Sequence, residues 1–290
     1  MGKWFKIFLE LSKVKLSLLV ALSTATGFIL ATDRLSSGIM FPTVGILLLA
    51  CGASALNQYQ EREIDALMAR TKRRPIPSQK LSPFNALIVA LSFIVSGFLI
   101  LFYGSNLAAL YLSVFAVLWY NLVYTYLKRK SAFAVIPGAL VGALPPIIGW
   151  VAGGGSVWES QILAIAFFFF LWQVPHFWLL LLNHSQDYEK AGLPSITKTF
   201  TKTQLTRMTF VWILATASTC FLIPILGIVN SDLISLFLFG AASWLVWNTT
   251  KILRASDQEL SFSFAFKKIN IYILLVILLL SLDKLLNSLS

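Results

Sequence analysis

The stretch Asn57-Gln-Tyr-Gln-Glu61-Arg-Glu-Ile-Asp65 closes a long apolar run and is followed by Arg70-Thr-Lys-Arg-Arg-Pro75. Asn57, Glu61 and Asp65 recur every four residues, so a helix that continues to Asp65 sets all three along one face. Carboxylates at the C-terminal end of a helix meet the negative end of its dipole and need a compensating cation. An oxygen-only set with no His or Cys suits Mg²⁺, which usually enters such sites together with phosphate groups. Arg70, Lys72 and Arg73, just downstream, would complete a diphosphate clamp. The plainer alternative is a solvated helix end with ordinary i,i+4 pairs, which Arg62 and Glu63 fit well.

A second constellation strengthens the first. Trp172-Gln-Val-Pro-His176-Phe-Trp178 leads into Asn183-His-Ser-Gln-Asp187. On a continuous helix His176, Leu180, Asn183 and Asp187 share a face, and Asn183 and Asp187 repeat the Asn-x3-acid spacing of Asn57 and Glu61. The expectation is a metal-diphosphate site with Asn57, Glu61, Asp65, Asn183 and Asp187 as metal ligands. Asn57, Glu61, Asp65 and Asp187 are its catalytic residues. His176 lies in an apolar run, where an ionisable group is a functional candidate, and Pro175 loosens the helix beside it. A histidine simply hydrogen-bonded to a neighbouring helix is the alternative. A straight helix puts His176 roughly 16 Å from Asp187, too far to share a metal. In Tyr124-Thr-Tyr-Leu-Lys128-Arg-Lys-Ser131, Lys128 and Arg129 either contact a diphosphate or merely anchor a helix end.

The elements that must carry these residues are membrane spans. The chain is 58% hydrophobic and 12% charged, with mean hydropathy +0.80, which excludes a soluble globular domain. Nine spans are expected: 15–32, 37–58, 84–103, 106–127, 132–152, 159–181, 206–228, 232–250 and 269–286. Together they form a single membrane-embedded domain over 1–290. The first run, after Lys3 and Lys6, imitates a signal peptide, but the eight that follow favour a retained helix. Pro224 interrupts the seventh span, and Asp283 and Lys284 lie near the end of the ninth.

Charge sets the expected orientation. Lys and Arg number four at 3–15, up to the head of the first span, six at 62–80, three at 128–130, four at 190–207 and four at 251–268, or 21 of the 23. Only Arg34 and Lys284 fall in the opposite segments. The positive-inside rule then places the N-terminus inside and the C-terminus outside, with both acidic motifs on the cytoplasmic side of the cell inner membrane. The net charge of +11 is an orientation signal, and scattered cations without a soluble module give no nucleic-acid partner. Cys51 and Cys220 lie in apolar runs, which argues against a disulfide or a zinc site.

At these motifs the chain resembles the UbiA superfamily of intramembrane prenyltransferases. Asn57-x3-Glu61-x3-Asp65 with Arg70-Thr-Lys-x-Arg-Pro75 resembles the first acidic motif, and Tyr124-Thr-x-Leu-Lys128-Arg129-x-Ser131 the basic motif. Gly142-Ala-Leu-Pro-Pro-Ile-Ile-Gly-Trp150 resembles the stretch after it. Trp172-Gln-x-Pro-His176-Phe and Asp187-Tyr-x-x-Ala-Gly-x-Pro194 resemble the haem branch in particular. Lys13-Val14 departs from the Lys-Pro that the family often has there, and Ser131 and Ser195 depart from its usual Thr and Met. The resemblance implies a nine-helix bundle around a lipid-open cavity. It also implies Mg²⁺, farnesyl diphosphate and haem B as ligands, with Trp172, Gln173 and His176 on the acceptor. Further partners would be the lipid bilayer and a haem A synthase or terminal oxidase assembly.

Three rivals are weighed. A superfamily member with an aromatic or quinone-precursor acceptor shares the acidic motifs but has no need of Trp172-Gln-x-Pro-His176-Phe. A CDP-alcohol phosphotransferase is rejected, because after Asp65-Ala-Leu-Met-Ala-Arg70 its further spaced Asp residues are replaced by Pro75, Pro77 and an apolar run. A transporter holds its acids near the membrane midplane, whereas these cluster at one rim beside basic loops.

Overall fold

The computed structural model describes residues 2–33, 36–254 and 258–287, so Arg34 lies outside the described residues. Among them, no strand occurs and nine helices are long and apolar enough to cross a membrane. These are Val14–Thr32, Ser37–Gln60, Pro83–Gly104, Leu107–Leu127, Val135–Ala152, Ser160–Asn183, Lys202–Ile225, Asp232–Leu253 and Phe262–Leu286, called here the first to ninth spans. Every expected span is present. The largest differences are at the seventh, which begins four residues before the expected 206, and the ninth, whose helix extends well before the expected 269.

Local chemistry explains the breaks. The seventh span is helical from Lys202 to Thr219 and again from Leu222 to Ile225. Pro224 cannot donate to the carbonyl of Cys220 and crowds it, so the helix gives way one turn before the proline. Its start is fixed by a capping box in which Thr201 and Gln204 satisfy each other's backbone N–H groups. Asn106 caps the fourth span through the N–H of Ala109 at 2.9 Å, and its Nδ2 donates to the carbonyl of Val151 at 2.6 Å. One side chain thereby ties the fourth span to the end of the fifth.

Helices in lipid gain nothing from hiding apolar surface from one another, so close backbone approach replaces the hydrophobic effect. The first and fifth spans show this. A Cβ at Gly27 would stand 2.0 Å from the carbonyl oxygen of Pro146, and one at Gly149 would stand 1.8 Å from that of Thr24. Only glycine fits at either position.

Before the first span, Lys3–Leu11 forms a separate short helix. Ile7 and Leu11 are buried in a small cluster with Ala55, Ile76, Leu81, Ala86 and Ala90, while Trp4, Phe5 and Phe8 are exposed. The Gln58 amide donates to the carbonyls of Glu10 and Leu11 at 3.0 and 2.8 Å, pinning this helix across the end of the second span. The chain then turns at Lys13, which takes the left-handed conformation at φ 45° and ψ 47°. That geometry is costly for a residue with a Cβ, and it brings Lys13 to the end of the bundle where the second span finishes.

The far end has its own fastening. Asp283, fully buried, accepts the N–H groups of Asn230 and Ser231 at 2.9 Å each, and Lys284 pairs with Asp33 at 2.7 Å. The two charges near the end of the ninth span therefore lock it to the loop before the eighth and to the end of the first.

Candidate active site

A cavity of about 750 Å³ runs into the bundle between the first, second, fourth, fifth, sixth and ninth spans. The third, seventh and eighth contribute nothing to its lining. Its deep part is apolar, walled by Leu16, Val20, Ile46, Leu49, Val117, Ile148, Phe169 and Ile277. Its polar groups gather at the end of the second span.

There the second span stops at Gln60. Glu61 sits at φ −105° and ψ 8°, and a short helix resumes over Arg62–Leu67. The expected continuous helix is thus interrupted at one residue. The face survives because Glu61 N–H still bonds to the carbonyl of Asn57, and Asp65 N–H to that of Glu61, at 3.0 and 2.8 Å. Asn57, Glu61 and Asp65 all line the cavity, at 2%, 6% and 1% exposure.

Each is held by a partner from elsewhere. Lys128 Nζ meets Glu61 Oε2 at 2.6 Å, and Arg74 Nη1 meets both oxygens of Asp65 at 2.8 and 2.7 Å. Asn57 Nδ2 donates to Thr125 Oγ1 at 3.1 Å. Buried carboxylates are tolerated only when so compensated. Lys13 completes a ring of cations. Burial, reinforced by the charges of Arg74 and Lys128 and partly opposed by Glu61 and Asp65, lowers its pKa to about 7.

The fourth span reaches this site through a π-helical turn over Trp119–Tyr124. Such a turn needs outside support for its loosened backbone. Gln60 Nε2 donates to the carbonyl of Asn121 at 3.0 Å, and Asn121 Nδ2 donates to the carbonyl of Ala53 at 3.0 Å. Tyr120, Tyr124 and Lys128 then face the cavity at four-residue intervals. The two rings stack with centroids 5.9 Å apart, and Lys128 Nζ lies 5.5 Å from the Tyr124 centroid.

The sixth span ends at Asn183. His184, at φ −133°, breaks it before a short helix over Ser185–Lys190. The face expected to run from His176 to Asp187 therefore does not continue, and the straight-helix distance between them does not apply. Asp187 turns instead toward the loop after the first acidic motif, where its two oxygens accept the N–H groups of Ala69 at 3.2 Å and Arg70 at 3.0 Å. The two motifs touch, with one docking the loop of the other. Neither Asp187 nor Asn183 lines the cavity. Burial raises the Tyr188 phenol, which does line it, and lowers the His184 imidazole beside Arg70.

Of the expected diphosphate contacts, Arg70 and Lys128 line the cavity. Lys72 and Arg73 are exposed outside it, and Arg129 Nη2 is occupied with the carbonyl of Gln60 at 2.7 Å. Arg74 and Lys13 stand in the lining without having been singled out. Arg74 lies in the basic run, where spacing alone could not distinguish it from its neighbours. Lys13 had a signal in its place at the head of the first span. Trp172, Gln173 and His176 line the cavity deeper in, and Gly142 leaves room for the Gln173 side chain, whose Oε1 a Cβ there would meet at 2.6 Å.

Among the described residues no group of three or more His, Cys, Asp or Glu is close enough to hold a metal. The donor chemistry of Asn57, Glu61 and Asp65 nevertheless fits a hard divalent cation. All three offer oxygen, all are buried at a cavity wall, and two are carboxylates.

A long apolar cavity whose polar end pairs buried acids with a ring of cations is shaped for an amphiphile with a hydrocarbon tail and an anionic head. That is the class of an intramembrane lipid-modifying enzyme. The chain belongs to the UbiA prenyltransferase family, which matches residues 20–274. It is similar to a protoheme IX farnesyltransferase of Geobacter sulfurreducens, 39% identical over 220 residues, covering 76% of this chain and 81% of that one. It is also similar to a protoheme IX farnesyltransferase of Nitratidesulfovibrio vulgaris, 34% identical over 210 residues, covering 72% and 73%. Its fold matches the structure of a UbiA homolog from Archaeoglobus fulgidus bound to GPP and Mg²⁺, with TM-score 0.70, 16% identity and coverage of 95% and 99%.

Proposed function

We propose that the chain transfers the farnesyl group of farnesyl diphosphate to a vinyl group of haem B. Water adds in the same reaction, and the products are haem O and diphosphate. The observation that carries this is the cavity itself, with the charged ring of Lys13, Arg70, Arg74 and Lys128 at one end and Trp172, Gln173 and His176 further in. The names carried by the relatives support the haem acceptor.

Lys13, Arg70, Arg74 and Lys128 bind the diphosphate, while the apolar walls take the farnesyl tail. Asn57, Glu61 and Asp65 would hold Mg²⁺, a role supported by the GPP and Mg²⁺ bound by the Archaeoglobus homolog. Asn183 and Asp187 stand back from the cavity, and Asp187 serves the site by holding the Ala69–Arg70 loop. When bound, the metal neutralises charge on the departing diphosphate. The carbon–oxygen bond breaks with its electron pair on the diphosphate, where the cations stabilise it. The apolar walls keep water from the allylic cation. The π-electrons of the vinyl group form the new carbon–carbon bond, and water captures the resulting cation with loss of a proton. His176 belongs to the acceptor end and contacts the haem.

The charge distribution supports an active site on the cytoplasmic side of the inner membrane. Haem A synthase or terminal oxidase assembly would take the product. The test is product analysis of the purified chain in detergent with farnesyl diphosphate, Mg²⁺ and haem B. The expected product is haem O with stoichiometric diphosphate. Turnover of an aromatic or quinone-precursor acceptor, with none of haem B, would overturn the assignment.

A further inference from the structure

Thr125 closes the π-helical turn of the fourth span and backs onto Asn57. It is fully buried and does not line the cavity, whereas Asn57 does. In an α-helix the Thr125 N–H would bond to the carbonyl of Asn121. Here it reaches one residue further back, to the carbonyl of Tyr120. Gln60 Nε2 takes the Asn121 carbonyl instead, at 3.0 Å, and Gln60 Oε1 accepts from Asn121 Nδ2 at 3.2 Å. The turn is thus held in its wider form by the residue just before Glu61.

The wider turn decides what Thr125 offers to Asn57. Its Oγ1 donates to the same Tyr120 carbonyl at 2.8 Å. A hydroxyl has one proton and a carbonyl has none to give, so that proton is committed to Tyr120. Toward Asn57, Thr125 has only lone pairs. The Asn57 amide therefore presents its Nδ2, at 3.1 Å, which leaves Oδ1 on the other branch of the side chain. Among the described residues nothing donates to this oxygen. The amide oxygens of Gln58 and Asn121 also lack donors but are sealed within the protein. Asn57 Oδ1 is not one of the sealed atoms, and its residue opens on the cavity. An amide oxygen left free at the cavity wall, on the face shared with Glu61 and Asp65, is a hard ligand for a divalent cation. The flipped amide would offer the same cation an N–H₂ group and no lone pair.

We propose that Thr125 is a positioning residue for metal binding: it fixes the Asn57 amide so that its oxygen, and not its nitrogen, faces the cavity. This rests on the reading of Asn57, Glu61 and Asp65 as Mg²⁺ ligands. It gives the π-helical turn a duty in the site, since only the wider turn sends the Thr125 proton to Tyr120 and leaves its lone pairs to Asn57.

The test is Mn²⁺ binding to the detergent-solubilised full chain in the presence of farnesyl S-thiolodiphosphate, with free Mn²⁺ read by electron paramagnetic resonance. Thr125→Ser keeps the hydroxyl and should bind Mn²⁺ as the unsubstituted chain does. Thr125→Val keeps the shape but removes the lone pairs. It should weaken Mn²⁺ binding on the order of 10- to 100-fold, the usual effect of losing the partner that orients a metal ligand. A carboxylate needs no such orientation, because both of its outer atoms are oxygens. In the Asn57→Asp background the loss caused by Thr125→Val should therefore disappear. If Thr125→Val does not melt as a folded protein, Thr125→Ala takes its place in every comparison. An equal loss in both backgrounds would assign Thr125 to the integrity of the turn and overturn the proposal. Full affinity in Thr125→Val, beside weakened binding in Asn57→Leu, would overturn it as well. Full affinity in Asn57→Leu would overturn the ligand assignment beneath it.

Discussion

Glu61 and Lys128 meet at 2.6 Å across the ends of the second and fourth spans. The acid is nearly buried and the amine partly so, and the pair joins residues 67 positions apart. A pair of this kind has two separable duties, since it neutralises a buried acid and it keeps a cation beside the place assigned to the diphosphate.

Those duties come apart in a double variant. Lys128→Met should lower thermal stability in detergent, because Glu61 is left buried without its partner. It should also reduce turnover on the order of 10²-fold, as loss of a charge-stabilising group does. Adding Glu61→Gln removes the stranded charge, so stability should recover while turnover stays low. Recovery of turnover with stability would show the pair to be structural only.

Asp187 makes a different prediction, because it holds backbone N–H groups. In Asp187→Asn an N–H₂ group replaces one accepting oxygen, so both amides of the Ala69–Arg70 loop cannot be satisfied. Limited trypsin digestion should then cut faster at Arg70, Lys72 or Arg73, and turnover should fall. Unchanged digestion with lost activity would place Asp187 directly on metal or substrate.

The lowered Lys13 pKa, about 7 in the substrate-free cavity, gives a pH dependence with a definite sign. Below that pH the amine is charged, and above it the amine is neutral. An arriving diphosphate favours the charged form, so binding takes up a proton above pH 7. Affinity for farnesyl diphosphate should therefore fall as pH rises past 7, by at most about tenfold per unit for one linked proton. Lys13→Met should flatten that slope, and a slope indifferent to the substitution would assign it to another group.

Chelation tests the oxygen donors. EDTA should abolish turnover and added Mg²⁺ should restore it. Asp65→Asn should behave like chelation while the protein still inserts, although Arg74 is then left without its carboxylate. Full activity in Asp65→Asn would reduce this acid to an anchor for Arg74.

Orientation is checked by single cysteines at exposed positions. Replacements of Gln79 and Thr199 should react with an impermeant reagent only from the cytoplasmic side, and one at Ser156 only from outside. Reaction of Gln79 and Ser156 from the same side would reverse the positive-inside argument.

Periodicity and composition determined the membrane class, the number of spans and the identity of the first acidic face. These are local properties, set by twenty or so consecutive residues and by the α-helical repeat. Lys128 was a candidate because its motif was recognisable on its own, but its pairing with Glu61 was not legible. What sequence could not decide was which of several adjacent cations points inward. Arg74 enters the cavity while Lys72 and Arg73 do not, since the turns after Met68, and not a helical period, set their directions. The same reason separates Asp187 from its expected place. One non-helical residue, His184, redirects the chain and turns the carboxylate toward the two amides of the Ala69–Arg70 loop. Phe266 was silent in sequence because its meaning lies wholly in a ring contact with His176, 90 residues earlier. Such a contact exists only once the sixth and ninth spans pack together, so only the tertiary structure could supply it.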